Sequence, residues 1–251
     1  MALTTRGSLR WRSDRGTGLL DLMVATLVLS VVMAAAYSNL AVQMRGHAVQ
    51  TMATETINDT RTALRLIADQ VAMAGYGVPT ATTPSAAASI ITATATQLSF
   101  WTKVNATHTY LTAAALKNAT SVTVLSATGL STGNSIYITD TSRWYSGTIQ
   151  SISGTTVTIS PALTYNFVAG SELTPVEQVT FQLVGTDLQR NGKRFIGNVK
   201  ALTFAYDSAT LSAIRKVTIT LSGQTRVANP ATGQRLTVSV TTQIAPPNLA
   251  L

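Results

Sequence analysis

The sequence predicts an α+β protein: a long N-terminal helix, membrane-spanning in its first half, packed on an antiparallel β-sheet domain that carries a small β-rich insertion. Three observations lead there. An apolar run from Leu19 to Ala36 passes into helically spaced apolar residues that last to about Ala74. Beyond residue 176, apolar residues alternate with Thr and Ser at period two, the mark of half-buried strands. Between about Thr112 and Leu173, short runs of that kind are broken by glycine-containing turns.

The first element begins behind a basic leader, residues 1–16, with Arg6, Arg10, Arg12 and Arg15. Leu19 to Ala36 is 18 residues with one charge, Asp21, near the lower limit of what spans a bilayer. Leu19, Leu20, Leu22, Met23, Val24, Leu27, Val28, Leu29, Val31 and Val32 are the lipid-facing candidates. Arginines on the N-terminal side predict a cytoplasmic leader and an exported C-terminus. An ordinary secretory signal is cut after its apolar core. Here the candidate cut, Arg15-Gly16-Thr17, precedes the core, so the anchor survives cleavage. Asp21 then needs a partner, because an unpaired carboxylate at membrane depth costs roughly 2.5–3.5 kcal/mol on insertion scales.

The helical pattern continues through Val49, Ala53, Ile57, Leu64, Ile67, Val71 and Ala74, which share one face. Arg65 and Asp69 are spaced for a solvent-face ion pair. Gly75-Tyr76-Gly77-Val78-Pro79 is a strong stop. A helix from Leu19 to Met73 is about 80 Å long, too long for a small domain to bury. Its first half is therefore expected in lipid and then among other subunits. Gly46 is the expected place for a bend or fraying.

Residues 77–111 read as a linker and first strands, with Thr80–Ala88 rich in Thr, Ala and Pro. In the insertion, residues 112–173, strands are expected at Val122–Leu125, Ile136–Ile138, Gly147–Ile149 and Thr156–Ile159, forming a small sandwich or barrel. Residues 174–251 supply the remaining sheet. Asn191-Gly192 suits a tight hairpin with positive φ, Val199–Tyr206 is a strand, and the runs from Ile214 and Leu236 are two more.

Composition excludes several classes. The 251 residues include no cysteine, so disulfides, thiol catalysis and cysteine zinc sites are out. The formal net charge is +8. Loss of the leader, with four Arg and Asp14, leaves 14 basic and 9 acidic side chains and a net of +5. These charges are scattered, so no nucleic-acid partner is expected. His47 and His108 read as solvated side chains, and two histidines make a zinc site improbable. No Gly-x-Ser-x-Gly elbow supports a nucleophile. Asp140 lies among Thr139, Thr141 and Ser142 but lacks the spaced carboxylates of a calcium loop. No enzyme, cofactor or metal is expected. Trp144 and Tyr145 are adjacent in a strand and so point to opposite faces. They are the candidates for a contact surface, against the plainer reading that Trp144 caps the insertion's own core.

The basic leader, Gly16, the apolar run and Asp21 together resemble the processing and assembly signal of type IV pilins and pseudopilins. Ala63–Gly77, ending Met-Ala-Gly-Tyr-Gly, is similar to the helix boundary of PilW-type minor pilins, related to the J-type pseudopilins of type II secretion. So is the later order: the Val179 strand, the Leu188–Gly192 hairpin, Asn198-Val199 and Ile214–Val217. Thr17 stands where the family usually has an aromatic residue, Asp21 where it usually has glutamate, and the helix lacks the common proline.

The resemblance implies a minor pilin that primes or caps a filament. Prepilin peptidase cuts between Gly16 and Thr17 and the Thr17 amine is methylated. Asp21 pairs with that amine on a neighbouring subunit. Implied partners are the peptidase, other minor and major pilins, and inner-membrane lipid. The implied location is the inner membrane before assembly and a surface pilus or periplasmic pseudopilus afterwards. Alternatives are a type II secretion pseudopilin and a membrane-anchored binding domain that never polymerises.

Overall fold

In the computed structural model, described residues are 17–80, 83–104, 107–229 and 232–249. The leader lies outside them. The helix α1 runs from Thr17 to Ala72. It continues as helix through Gly46, the expected place for any bend or fraying, because a single glycine costs a helix only about 1 kcal/mol. Two compact units divide the chain, Met1–Met52 and Ala53–Leu251, and α1 contributes to both.

Within the second unit, α1 buries Thr56, Thr60, Ala63, Leu64, Ile67 and Val71. The last four join one core with Phe181, Leu188, Leu202, Phe204, Ile219 and Leu221. This is the predicted stripe in its final turns. Nearer the start of the unit, Ala53 and Ile57 are only half-buried, and the two threonines take the inner positions. Gly223 explains this. A Cβ there would stand 2.1 Å from Thr60 Oγ1, so the strand backbone comes too close for a large side chain on the helix. The Thr60 hydroxyl donates to the Thr56 carbonyl at 2.6 Å, leaving no buried donor unused. Arg65 and Asp69 form no ion pair. Instead Gln70 Oε1 accepts from Arg190 Nε at 2.7 Å, and Arg190 Nη2 meets Glu177 at 2.7 Å. After α1 the chain turns, and Gly75 N–H donates to Trp101 O at 2.9 Å.

Thirteen strands follow among the described residues: β1 (Ile90–Ala93), β2 (Gln97–Lys103), β3 (Thr109–Tyr110), β4 (Ser121–Thr123), β5 (Ser135–Thr139), β6 (Trp144–Ser153), β7 (Thr156–Ser160), β8 (Glu172–Val184), β9 (Asp187–Arg190), β10 (Lys193–Ile196), β11 (Val199–Tyr206), β12 (Val217–Gln224) and β13 (Thr237–Ile244). Every ladder between them is antiparallel, so the protein is α+β with a long apolar helix. A ten-stranded sheet runs β1-β2-β8-β5-β6-β7-β4, with β3 and the β9–β10 hairpin also attached. A second sheet is β11-β12-β13. The hairpin turns at Asn191 and Gly192, whose φ values of 52° and 75° are those of a type I′ turn. Ile214 is buried but precedes β12 instead of opening it.

The insertion forms a barrel-like ring. From β8 the sheet passes through β5, β6 and β7 to β4. Beyond β4, Leu111 bridges Val124. Thr112 N–H donates to Thr123 O at 2.9 Å and Leu125 N–H to Tyr110 O at 2.8 Å. Tyr110 belongs to β3, which pairs with β8, so the ring closes. Its interior holds Ile136, Ile138, Ile149, Val157, Phe167 and Leu173. The expected boundary at 173–174 falls inside β8. One end of that strand pairs with β5 and the other with β2, so both regions share one ladder.

Candidate functional site

In the first unit the site is the start of α1. The first helical residue is Thr17, and Gly16 lies outside the described residues. Leu19, Leu20, Leu22, Met23, Val24, Leu27, Val28, Leu29, Val31 and Val32 are each more than half exposed. They surround the helix instead of forming a stripe, so no orientation on a water-soluble surface hides them. Within α1 is a segment long and apolar enough to cross a membrane.

Polar side chains in this segment fall into two groups. Thr26, Ser30 and Ser38 donate to the carbonyls of Met23, Leu27 and Ala35 at 2.9, 2.7 and 2.8 Å. Back-bonding of this kind satisfies a hydroxyl without a neighbour. Asp21 has no such recourse, since an ionised carboxylate only accepts and helical N–H groups here serve the backbone ladder. Among the described residues it is exposed and has neither a hydrogen bond nor an ion pair. It sits one turn into the helix.

In the second unit, the tyrosine and tryptophan suggested as a contact surface are both engaged elsewhere. Tyr145 is buried in the barrel core and its hydroxyl donates to the Pro161 carbonyl. Trp144 is half-buried. Its Nε1–H donates to Ser85 O at 2.6 Å, and its ring meets Tyr137 edge-on at 5.5 Å. Nor does Trp144 cap the barrel core. It packs on a separate small cluster of Val78, Ala87, Tyr137 and Val176, where the chain leaving α1 crosses the sheet. Trp144 and Tyr145 do lie on opposite faces, and the outer face is covered by the loop that holds Ser85.

An open cleft of about 480 Å³ lies beside this cluster, lined by residues 77–80 and by Thr139, Asp140, Thr141, Glu172 and Thr174. Its two carboxylates are already occupied. Asp140 Oδ1 accepts from the N–H groups of Ser142 and Arg143, both at 2.8 Å, and from Ser142 Oγ at 3.1 Å. Burial pulls its pKa upward, but those N–H groups, the hydroxyl and the Arg143 guanidinium outweigh it and hold the carboxyl below its ordinary value. Glu172 Oε1 accepts from Thr174 Oγ1 at 3.0 Å and lies 3.7 Å from Lys103 Nζ. Asp140 is thus a turn-former, as its neighbours Thr139, Thr141 and Ser142 already hinted.

His108 packs edge-on against Tyr110 at 5.6 Å, and His47 lies on α1, where its carbonyl accepts from Thr51 Oγ1. Among the described residues no group of three His, Asp or Glu side chains gathers as metal ligands would. Comparison with known protein families, curated proteins and solved structures finds no match.

Proposed function

We propose that the chain is a pilin-type filament subunit, a minor pilin of the PilW type, assembled through its N-terminal helix to prime or cap a type IV pilus. The observation that carries this reading is Asp21. Among the described residues it is an acid without a partner in an apolar helix, one turn after the residue that cleavage behind Gly16 makes the new amino terminus. In a filament of parallel helices the methylated Thr17 amine of one subunit neutralises Asp21 of the next. The apolar circumference at Leu19–Val32 suits lipid before assembly and neighbouring pilin helices after it. Prepilin peptidase, other minor and major pilins, and the inner membrane are the partners this implies. The barrel-like insertion fits a filament end, where no neighbour crowds it, better than a shaft.

Two measurements test the reading. Mass spectrometry of the native protein is expected to find a chain beginning at methylated Thr17, and a chain beginning at Met1 would sink the reading. Asp21→Ala should be cleaved normally yet be missing from sheared filaments, because removing one member of a buried ion pair costs about 3–5 kcal/mol. A pseudopilin of type II secretion would share this chemistry, and deletion tells the two apart by loss of pili or loss of secretion.

A further inference from the structure

A free sheet edge attracts another strand, and folded proteins normally blunt their edges. Here, among the described residues, every edge but one is blunted. β1 is four residues long with an irregular register between Ile90 and Thr92. β10 is equally short, irregular, and carries Lys193 and Arg194. β4 is closed off by the segment around Leu111. The outer edge of β11 is taken by loops, with Phe204 N–H donating to Ala95 O at 2.9 Å and Val199 N–H to Thr186 O at 3.0 Å.

β13 has none of these devices. It pairs with β12 over eight consecutive residues without a register shift. Its sequence, Thr-Val-Ser-Val-Thr-Thr-Gln-Ile, contains no charge, no proline and no glycine. Among the described residues, no loop or strand hydrogen-bonds to its far side. Inner and outer positions alternate along all eight residues, so an added strand has a defined register. The outer face continues as hydroxyls, with Thr220 to Thr241 and Ser222 to Ser239 both at 3.0 Å.

Charge selects the occupant. Residues 198–249 hold five basic side chains and one acid. At the Thr237 end lie Arg235 and Lys200, whose Nζ reaches Thr237 Oγ1 at 3.4 Å. At the Ile244 end lies Lys216, next to Val217, the residue paired with Ile244, together with Arg215 and the one acid, Asp207, whose carboxylate accepts from Arg215 N–H at 2.9 Å, so this end keeps a net charge of one positive. A second copy added antiparallel would set the Thr237 end of one strand against the Ile244 end of the other, bringing Arg235 and Lys200 twice over up to Arg215 and Lys216, whose charge Asp207 offsets only in part. A parallel copy would set Arg235 against Arg235. Both orientations are repulsive, and like charges across an interface exclude a partner.

We propose that β13 is an acceptor edge for an extended segment of another protein, uncharged in its middle and acidic at both ends, which adds as a further strand. Backbone hydrogen bonds supply affinity, and the basic ends supply selection. The inference does not depend on the filament reading. It concerns the second unit alone.

The test uses the full chain in detergent micelles and a labelled synthetic peptide of alternating Thr and Val, about as long as β13, with paired Glu at each end. The Glu-ended peptide should bind, slow amide exchange over residues 237–244, and weaken as salt rises. A Lys-ended peptide should bind about tenfold less tightly. Reversing the exposed ends with Lys216→Glu and Arg235→Glu should invert that order. Thr241→Lys, which puts a charge on the solvent face of the strand, should weaken both peptides. Failure of the Glu-ended peptide to bind, equal binding of the two, or protection elsewhere in the chain would overturn the proposal. So would disulfide cross-linking of two full chains through Ser239→Cys.

Discussion

The two parts of α1 are equally helical and differ in what their apolar residues do. Leu27, in the first unit, is 65% exposed, whereas Ile67, in the second, is fully buried. Hydrophobicity does not explain the difference, since the exposed part is the greasier. The difference lies in the strands. The second unit brings the residues of β8, β9, β11 and β12 to the helix, while the described residues of the first unit hold no strand. Apolar surface that a protein leaves uncovered needs lipid or other chains, and that need is a better guide to function than any side chain in the folded domain.

The same kind of truncation made in both units separates buried from uncovered apolar surface. Ile67→Ala should destabilise the second unit by about 2–5 kcal/mol through lost burial and a residual cavity. Leu27→Ala should leave that unit unchanged. Guanidinium unfolding of the full chain in detergent, carrying Trp11→Phe so that Trp101 and Trp144 alone fluoresce, reads the second unit directly. Equal losses from the two substitutions would mean that the first unit packs on something within the monomer.

Gly223→Ala sharpens the comparison at the edge of the covered region. The added methyl would collide with Thr60 Oγ1, which is held by its own bond to the Thr56 carbonyl. Overpacking of this kind costs about 1–3 kcal/mol. Gly223→Ala combined with Thr60→Ala should recover much of that loss in the same unfolding assay. No recovery would show that the helix and strand approach each other less closely than described.

How much of this could be read from the sequence depends on the range of the interaction. The span of α1, its stop at Gly75, the Asn191-Gly192 turn and the strand alternation are local, and each was legible. So was the oddity of Asp21, which requires only the hydropathy of its neighbours. The inward turn of Thr56 and Thr60 was not, because its cause is a glycine more than 160 residues away. The packing of Trp144 and Tyr145 was not legible for the same reason, since Ser85 O and Pro161 O are brought to them by folding. The open edge of β13 likewise becomes visible only when every other edge has been accounted for.

The smallest expected effect concerns Asp140, and it separates a turn-former from a binding group. Its carboxyl sits below the ordinary value in the folded chain, so the stability it adds is present above the unfolded pKa. That contribution is lost as pH falls below about 4 and through the folded value. Asn can still accept from the Ser142 and Arg143 N–H groups, so Asp140→Asn should cost less than about 1 kcal/mol at neutral pH. The variant's stability should also decline less steeply in acid. Asp207 carries a similar depression, caused by the N–H groups of Arg215 and Lys216, so acid sensitivity should diminish without vanishing. A variant that is more stable than the parent at neutral pH would mean that Asp140 is held at a cost, as a ligand-binding carboxylate often is, and not placed there to build a turn.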